Sequence, residues 1–312
     1  MEQIITGMIA SSVAAGALIV IAGMGELMLQ RTGVYNLSLE GMISMGAITA
    51  IIIVNDIPNV YVGVAGAALV GILMAFFFAL SAVTIKVDQY MAGLALWFVG
   101  IGLSGELGKS YVGKIAQAQF SPIKIPFLSD IPMIGQGLFN QSILVYVAYF
   151  ILPALAYYVL FKTRHGLNIR SVGQNPLVSD GCGIPVDPIR FIYTLIGGAL
   201  CGVAGAYLTL SLTPGWANGV VAGRGWIAFA LVIFANWNPL YIVLGALLFG
   251  AATSIGFAVQ IQGWNIPSSF LFMLPYLTTL VLMFLSNLIR KQRGIDITGI
   301  GPAALGTPFY RE

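Results

Sequence analysis

Long apolar runs alternate with short polar breaks along almost the whole chain. The runs fall at 8–29, 38–55, 61–85, 91–108, 143–161, 190–212, 225–236, 239–259 and 268–289. Most reach the length of about 20 residues that a helix needs to cross the hydrocarbon of a bilayer. A transmembrane β-barrel would read instead as alternating segments of about ten residues. The pattern predicts an all-α, polytopic transmembrane helical bundle of about nine spans, with eight to ten as the range. The runs at 91–108 and 225–236 are short and contain Gly or polar residues, which marks them as broken or re-entrant candidates. Residues 1–312 read as a single transmembrane domain.

Composition supports lipid as the main solvent. Charged residues make up 8% of the chain and hydrophobic residues 58%, against about 25% charged in a soluble domain. The 38 glycines fit helices that approach closely in lipid. A net charge of +3, with the basic residues in loops, is a topology signal and does not describe a nucleic-acid surface. Lys162, Arg164, Arg170 and Arg190 in the loop 162–190, and Arg290, Lys291, Arg293 and Arg311 in the tail 290–312, predict two cytoplasmic segments. Parity then puts Arg31 and Lys86 inside, the N-terminus outside and the loop 109–142 outside, against the sense of Lys109, Lys114 and Lys124. The first 30 residues hold no Lys or Arg, so the first run is expected to stay as a helix and not to act as a secretory leader. Cys182 in a polar loop and Cys201 in an apolar run suggest neither a disulfide nor a zinc site.

A faint internal repeat pairs Glu40-Gly41-Met42-Ile43 with Arg224-Gly225-Trp226-Ile227, each followed by an apolar stretch and an Asn/Pro break. On the predicted topology the two copies run in opposite directions, as in transporters with inverted repeats. Chance similarity between Gly-rich apolar helices gives the same pattern, and the residues alone leave both readings open.

Chemistry on a substrate finds little support. Gly108-Lys109-Ser110 ends like a phosphate loop, but Leu103 stands where the pattern needs glycine. Gly223-Arg224-Gly225-Trp226-Ile227-Ala228 fits a loose dinucleotide pattern but follows no strand. His165, the single histidine, sits in a basic loop. No catalytic set and no metal cluster is read, so powered transport would need a partner or an ion gradient. Ionisable residues inside apolar runs are functional candidates by default. Of these, Glu26 and Glu106 lie near helix ends, where each can reach the interface. Glu40 opens a helix, where a carboxylate also favours the positive helix terminus. The substrate pathway is read as Glu40, Trp97, Trp226, Asn236, Trp237 and Asn238, an aromatic and amide lining that suits a small neutral ring with hydroxyls. Trp also forms interfacial belts, so a structural role for each stands beside that reading.

In the loop 162–190, Asn175 can cap a short helix with Pro176 at its first position, and Gly181 or Gly183 can end it. Such a helix is a docking surface or an ordinary connection. The run from Thr163-Arg164-His165-Gly166-Leu167 through Ser171-Val172-Gly173-Gln174-Asn175-Pro176 to Gly183-Ile184 resembles the coupling-loop region of the branched-chain amino acid/ribose-type ABC permease superfamily. So do residues 31–42 and the stretch from Gly197 to Ala206. Gly223–Ala228, Asn236–Leu240 and the tail Pro302–Glu312 look closest to the simple-sugar/nucleoside permeases that work with basic-membrane-protein-type binding lipoproteins. The resemblance implies a non-enzymatic permease subunit of a bacterial ABC importer in the cytoplasmic (inner) membrane. It implies ATP-Mg on a cytoplasmic ATP-binding subunit with no cofactor on this chain, a second homologous permease subunit, and an extracytoplasmic substrate-binding lipoprotein. The ATPase-docking loop would comprise Gly173, Asn175, Pro176, Leu177, Ser179, Asp180 and Gly183. The implied solute is a nucleoside, with riboflavin and simple sugars open. One departure is Trp97, which follows Gly93-Leu94-Ala95-Leu96 where the family usually has Asn. A stand-alone carrier or facilitator is the competing reading, and a membrane enzyme or scaffold a more distant one.

Overall fold

The computed structural model describes residues 2–129, 131, 134–261, 267, 270–271, 273–278, 280–281, 284, 288 and 301–311. Its helices are α1 (Glu2–Gln30), α2 (Leu39–Asp56), α3 (Val60–Ala79), α4 (Gln89–Gly108), α5 (Ile134–Phe139), α6 (Ile143–Tyr146), α7 (Leu152–Lys162), α8 (Arg164–Gln174), α9 (Pro176–Gly181), α10 (Val186–Tyr207), α11 (Arg224–Phe234) and α12 (Pro239–Ile261). A two-stranded antiparallel ribbon, β1 (Ile123–Lys124) and β2 (Asn140–Gln141), lies between α4 and α6. Among the described residues, seven helices are long and apolar enough to cross a membrane: Ile5–Gln30, Leu39–Asp56, Val60–Thr84, Gln89–Tyr111, Ile143–Lys162, Val186–Leu212 and Pro239–Gln260. Part of the run expected at 268–289, and residues 290–300 with three of the tail's four basic side chains, lie outside the described residues.

The two short runs part company. The run at 91–108 is an unbroken helix of 20 residues, so its expected break is corrected. Gly93 and Gly100 serve packing instead, Gly93 against Leu37 and Gly100 backbone to backbone with Gly41 of α2. The run at 225–236 becomes α11, with 11 residues. At about 1.5 Å per residue it reaches roughly 16 Å, about half of a hydrocarbon core.

Helix α10 is the axis of the bundle and packs on α1, α2 and α3, while α1 also packs on α11 and α12. Apolar burial gives little drive between helices in lipid, so close van der Waals fit has to supply it. The glycines of α10 provide that fit on three sides. Gly197 faces Gly25 of α1, Gly198 faces Gly71 of α3, and Gly202 meets Gly46 of α2 and Ala67 of α3. Polar bonds add to the seam. Thr209 donates to the Ala47 carbonyl at 3.0 Å, and Tyr207 and Tyr149 donate to the Ala14 and Val13 carbonyls of α1 at 2.7 and 3.0 Å. Among the described residues, three spans carry π-helical turns, at Leu80–Thr84, Val147–Ile151 and Leu208–Leu212. The second lies just before Pro153, which has no N–H to give to that turn.

Arg31, Lys86, the loop 162–190 and the segment 301–311 all meet at one end of the bundle. Arg31 and Arg170 flank the Phe161 ring at 5.7 and 5.3 Å, Lys86 lies over Tyr310 at 4.8 Å, and Ala304 N donates to the Gly173 carbonyl at 2.9 Å. Burial, with the Arg170 charge second, pulls the Arg31 guanidinium down to about 10, so it stays charged at neutral pH. The loop 109–142 sits at the opposite end, where Phe120 N donates to the Leu210 carbonyl and Gly113 N to the Trp216 carbonyl.

Candidate functional site

The N-termini of α2 and α11 meet inside the bundle. Gly223, at φ +79°, takes the left-handed backbone that turns the chain into α11. Glu40, in the first turn of α2, is buried. It accepts from Gly223 N at 2.6 Å through Oε1 and from Gly225 N at 2.7 Å through Oε2. One carboxylate thus satisfies amide donors that a helix start leaves without partners, and places negative charge at its positive end. Gly225 is required because a Cβ there would fall 2.7 Å from the Glu40 backbone. The positions paired by the internal repeat, Glu40 with Arg224 and Gly41 with Gly225, are therefore neighbours in space.

Trp97 and Trp226 join this junction. Their rings stand edge to face with centroids 5.3 Å apart, and the Trp97 backbone packs on Gly41. The Trp97 indole Nε1 is buried with no hydrogen-bond partner among the described residues. Beside α11 lies a cavity of about 330 Å³, lined by Arg224, Ile227, Phe249, Thr253, Gln260 and Tyr276 among others. Arg224 Nη1 donates to the Val220 carbonyl at 2.8 Å, which holds the guanidinium at the cavity wall. Sequence reasoning missed this cavity. A signal was present in α12, where Phe249, Thr253, Gly256 and Gln260 recur at helical spacing on one face.

Asn236, Trp237 and Asn238 are not at this junction, because they close the turn at the far end of α11. Asn236 and Trp237 both have positive φ, +51° and +53°, which is uncommon for a bulky residue such as Trp. The turn is held in place by the Trp237 carbonyl, which accepts from Arg31 Nη2 at 2.7 Å, and by the Trp237 indole, which donates to Gln30 Oε1 at 2.8 Å. Asn238 Oδ1 accepts from Leu240 N at the start of α12. Among the three, Trp237 fastens the turn to Gln30 and Arg31, while the bonds of Asn236 and Asn238 are local to the turn. Glu26 also departs from expectation. It is 1% exposed and accepts from Gln30 Nε2 at 2.7 Å, because the loop after α1 folds back over it. Glu106 is exposed and pairs with Lys109.

At the basic end, Asn175 Oδ1 accepts from Val178 N at 3.1 Å and caps α9, with Pro176 as its first residue. Gly183, at φ +81°, follows the end of α9. Ser179 shares a hydroxyl contact of 2.8 Å with Ser171 of α8, and Gly173 packs on the Arg31 carbonyl. Leu177 and Asp180 lie on α9 itself. The sequence reading had no helix at 164–174. Helix α8 forms because Thr163 caps it, accepting from Gly166 N at 3.0 Å, and because Ile169 and Val172 are buried. Asn175→Ala is expected to destabilise α9 by about 1 kcal/mol. That would raise amide hydrogen exchange at 177–181 with no change in α1 or α10, and unchanged exchange at 177–181 would refute the cap.

A family model described as branched-chain amino acid transport system / permease component matches residues 8–286. The nucleoside ABC transporter permease protein NupC of Lactococcus lactis is 33% identical over 89% of this chain and 92% of its own length. The guanosine ABC transporter permease protein NupQ of Bacillus subtilis is 28% identical over 99% and 98%. The putative glucose ABC transporter permease protein TsgC13 of Haloferax volcanii is 34% identical over 78% and 75%.

Proposed function

The chain belongs to the branched-chain amino acid transport system / permease component family, and on that premise we propose that it carries a nucleoside inward past the α2–α4–α11 junction, driven by an ATP-binding subunit docked on α9. It is the membrane-spanning permease subunit of an ABC transporter and a multi-pass protein of the cytoplasmic membrane. The observation that carries the pathway reading is α11 itself. It is a half-length helix whose N-terminus lies inside the bundle, against Glu40, the Trp97–Trp226 pair and the cavity. Discontinuous helices of this kind mark transport sites, because irregular backbone is tolerated at depth where it lines a path. Aromatic faces and the unpartnered Trp97 indole N–H suit a neutral ring that bears acceptors. Two relatives named for nucleoside and guanosine transport match nearly the whole chain, which favours a nucleoside over a sugar. A second homologous permease, an extracytoplasmic binding lipoprotein and ATP-Mg on the ATP-binding subunit complete the assembly. This chain binds no cofactor and catalyses no reaction.

Proteoliposomes holding the assembled transporter test this. Uptake of labelled guanosine is expected only with ATP and the binding protein present, and excess unlabelled nucleoside should compete while riboflavin and glucose should not. Equilibration of guanosine by this chain alone, without ATP, would establish a facilitator instead.

A further inference from the structure

Residues 301–311 cross the basic end of the bundle as a strap. Gln174 Nε2 donates to the Gly301 carbonyl at 3.1 Å, Ala304 N to Gly173 at 2.9 Å, and Gly306 N to Gly33 at 3.0 Å. Arg190 of α10, 2% exposed, donates through Nη1 to the Thr307 carbonyl at 3.0 Å and through Nε to the Thr32 carbonyl at 3.1 Å. Phe309 is buried. Arg311 Nε then reaches Asp180 of α9 at 3.0 Å. The strap thereby ties α8 and α9 to α10 and to the loop after α1.

The outer face of this arrangement is unusual for a polar, basic end. Leu177 and Val178 of α9 are 53% and 59% exposed, and Tyr310 of the strap is 60% exposed. Between α9 and the strap runs a groove of about 250 Å³, lined by Asp180, Ile184, Asp187, Pro188, Phe309 and Arg311 among others. Basic loops stay in water on the cytoplasmic side, so lipid does not cover these apolar side chains, and large apolar groups exposed on both elements that flank the groove mark a protein contact.

We infer that the strap is the second half of the surface that receives the ATP-binding subunit. Helix α9 contributes Leu177 and Val178, the strap contributes Tyr310 and Arg311, and the groove between them accepts side chains of that subunit. The inference rests on the reading that α9 is the docking helix, and the Arg311–Asp180 pair makes the two halves one continuous surface. It also supplies a route for force. A displacement of α9 is transmitted through the strap to Arg190 and Gly33, hence to α10 and α1, and not through the α8–α9 connection alone.

Affinity purification of the assembled transporter through a tag on this chain tests the inference. Tyr310→Asp combined with Arg311→Glu changes only exposed side chains, so folding is retained. Recovery of the ATP-binding subunit is expected to fall about tenfold, the loss of one interface anchor, and solute-stimulated ATP hydrolysis to fall with it. Leu177→Asp separates the two readings. If Leu177→Asp releases the ATP-binding subunit and the strap variant does not, the strap inference fails and α9 docking stands. If neither releases it, docking on α9 fails as well. If the strap variant releases the second permease and retains the ATP-binding subunit, the groove is a contact between permeases and the inference is overturned.

Discussion

Replacing Glu40 with alanine is expected to abolish transport and to lower the apparent melting temperature of the detergent-solubilised protein. Both carboxylate oxygens are committed to amides at the start of α11. Each bond to a charged group is worth about 1.5–3 kcal/mol. Removal of the carboxylate leaves the buried Gly225 N–H and the partly buried Gly223 N–H without an acceptor, and the positive end of α11 without its countercharge. The stability lost is a large part of what a domain has to spare. Glu40→Gln keeps one amide oxygen as an acceptor and should fall between the wild type and the alanine variant in both measurements. Thermal unfolding followed by size-exclusion chromatography, together with guanosine uptake, reads both effects. An alanine variant with wild-type melting and wild-type uptake would show that Glu40 does not hold α11 in place.

Gly202→Leu is expected to prevent assembly of the bundle. A Cβ at this position would overlap the Ala67 carbonyl and come within 3.1 Å of the Ala68 backbone, both on α3. The opposing atoms are backbone, so no change of rotamer relieves the overlap, and α3 has to move away from α10. Overpacking of a core costs about 1–3 kcal/mol where side chains can give way, and more is expected here. Gly102→Leu is the matched control. It lies on the exposed face of α4, with nothing within 4 Å of a Cβ, and should leave yield and melting unchanged. Equal yields of monodisperse protein from the two variants would refute the glycine seam.

The length and apolarity of each run fixed the all-α bundle and the positions of the spans, because a helix that crosses lipid must satisfy its backbone internally and present apolar side chains. The cap of α9 was legible from Asn175, Pro176 and Gly183, since capping uses residue types with local geometric consequences. The break at 225–236 was legible from its length. The continuity of 91–108 was not, because a glycine that packs against a neighbouring helix looks in sequence like a glycine that interrupts one.

The distribution of roles among polar and aromatic residues needed the tertiary structure. Glu40, Trp97 and Trp226 meet because α2, α4 and α11 converge on Gly41, Gly100 and Gly225. Trp237 bonds to Gln30 and Arg31, and Asn238 to the start of α12, at the far end of α11. Nothing in their spacing separates the two groups, because contacts between residues about 200 positions apart are set by packing. The strap follows the same rule. Residues 301–311 read as a tail, and only the carbonyls of Gly33, Gly173 and Thr32 arranged around Arg190 show what they hold. The sequence by itself determined that this chain lives in lipid, where its long apolar helices lie and how α9 is capped, because those follow from local chemistry and the solvent. The tertiary structure decided which carboxylate caps α11, which aromatic rings share its junction and what ties α9 to the bundle, because each depends on close approach between distant backbones.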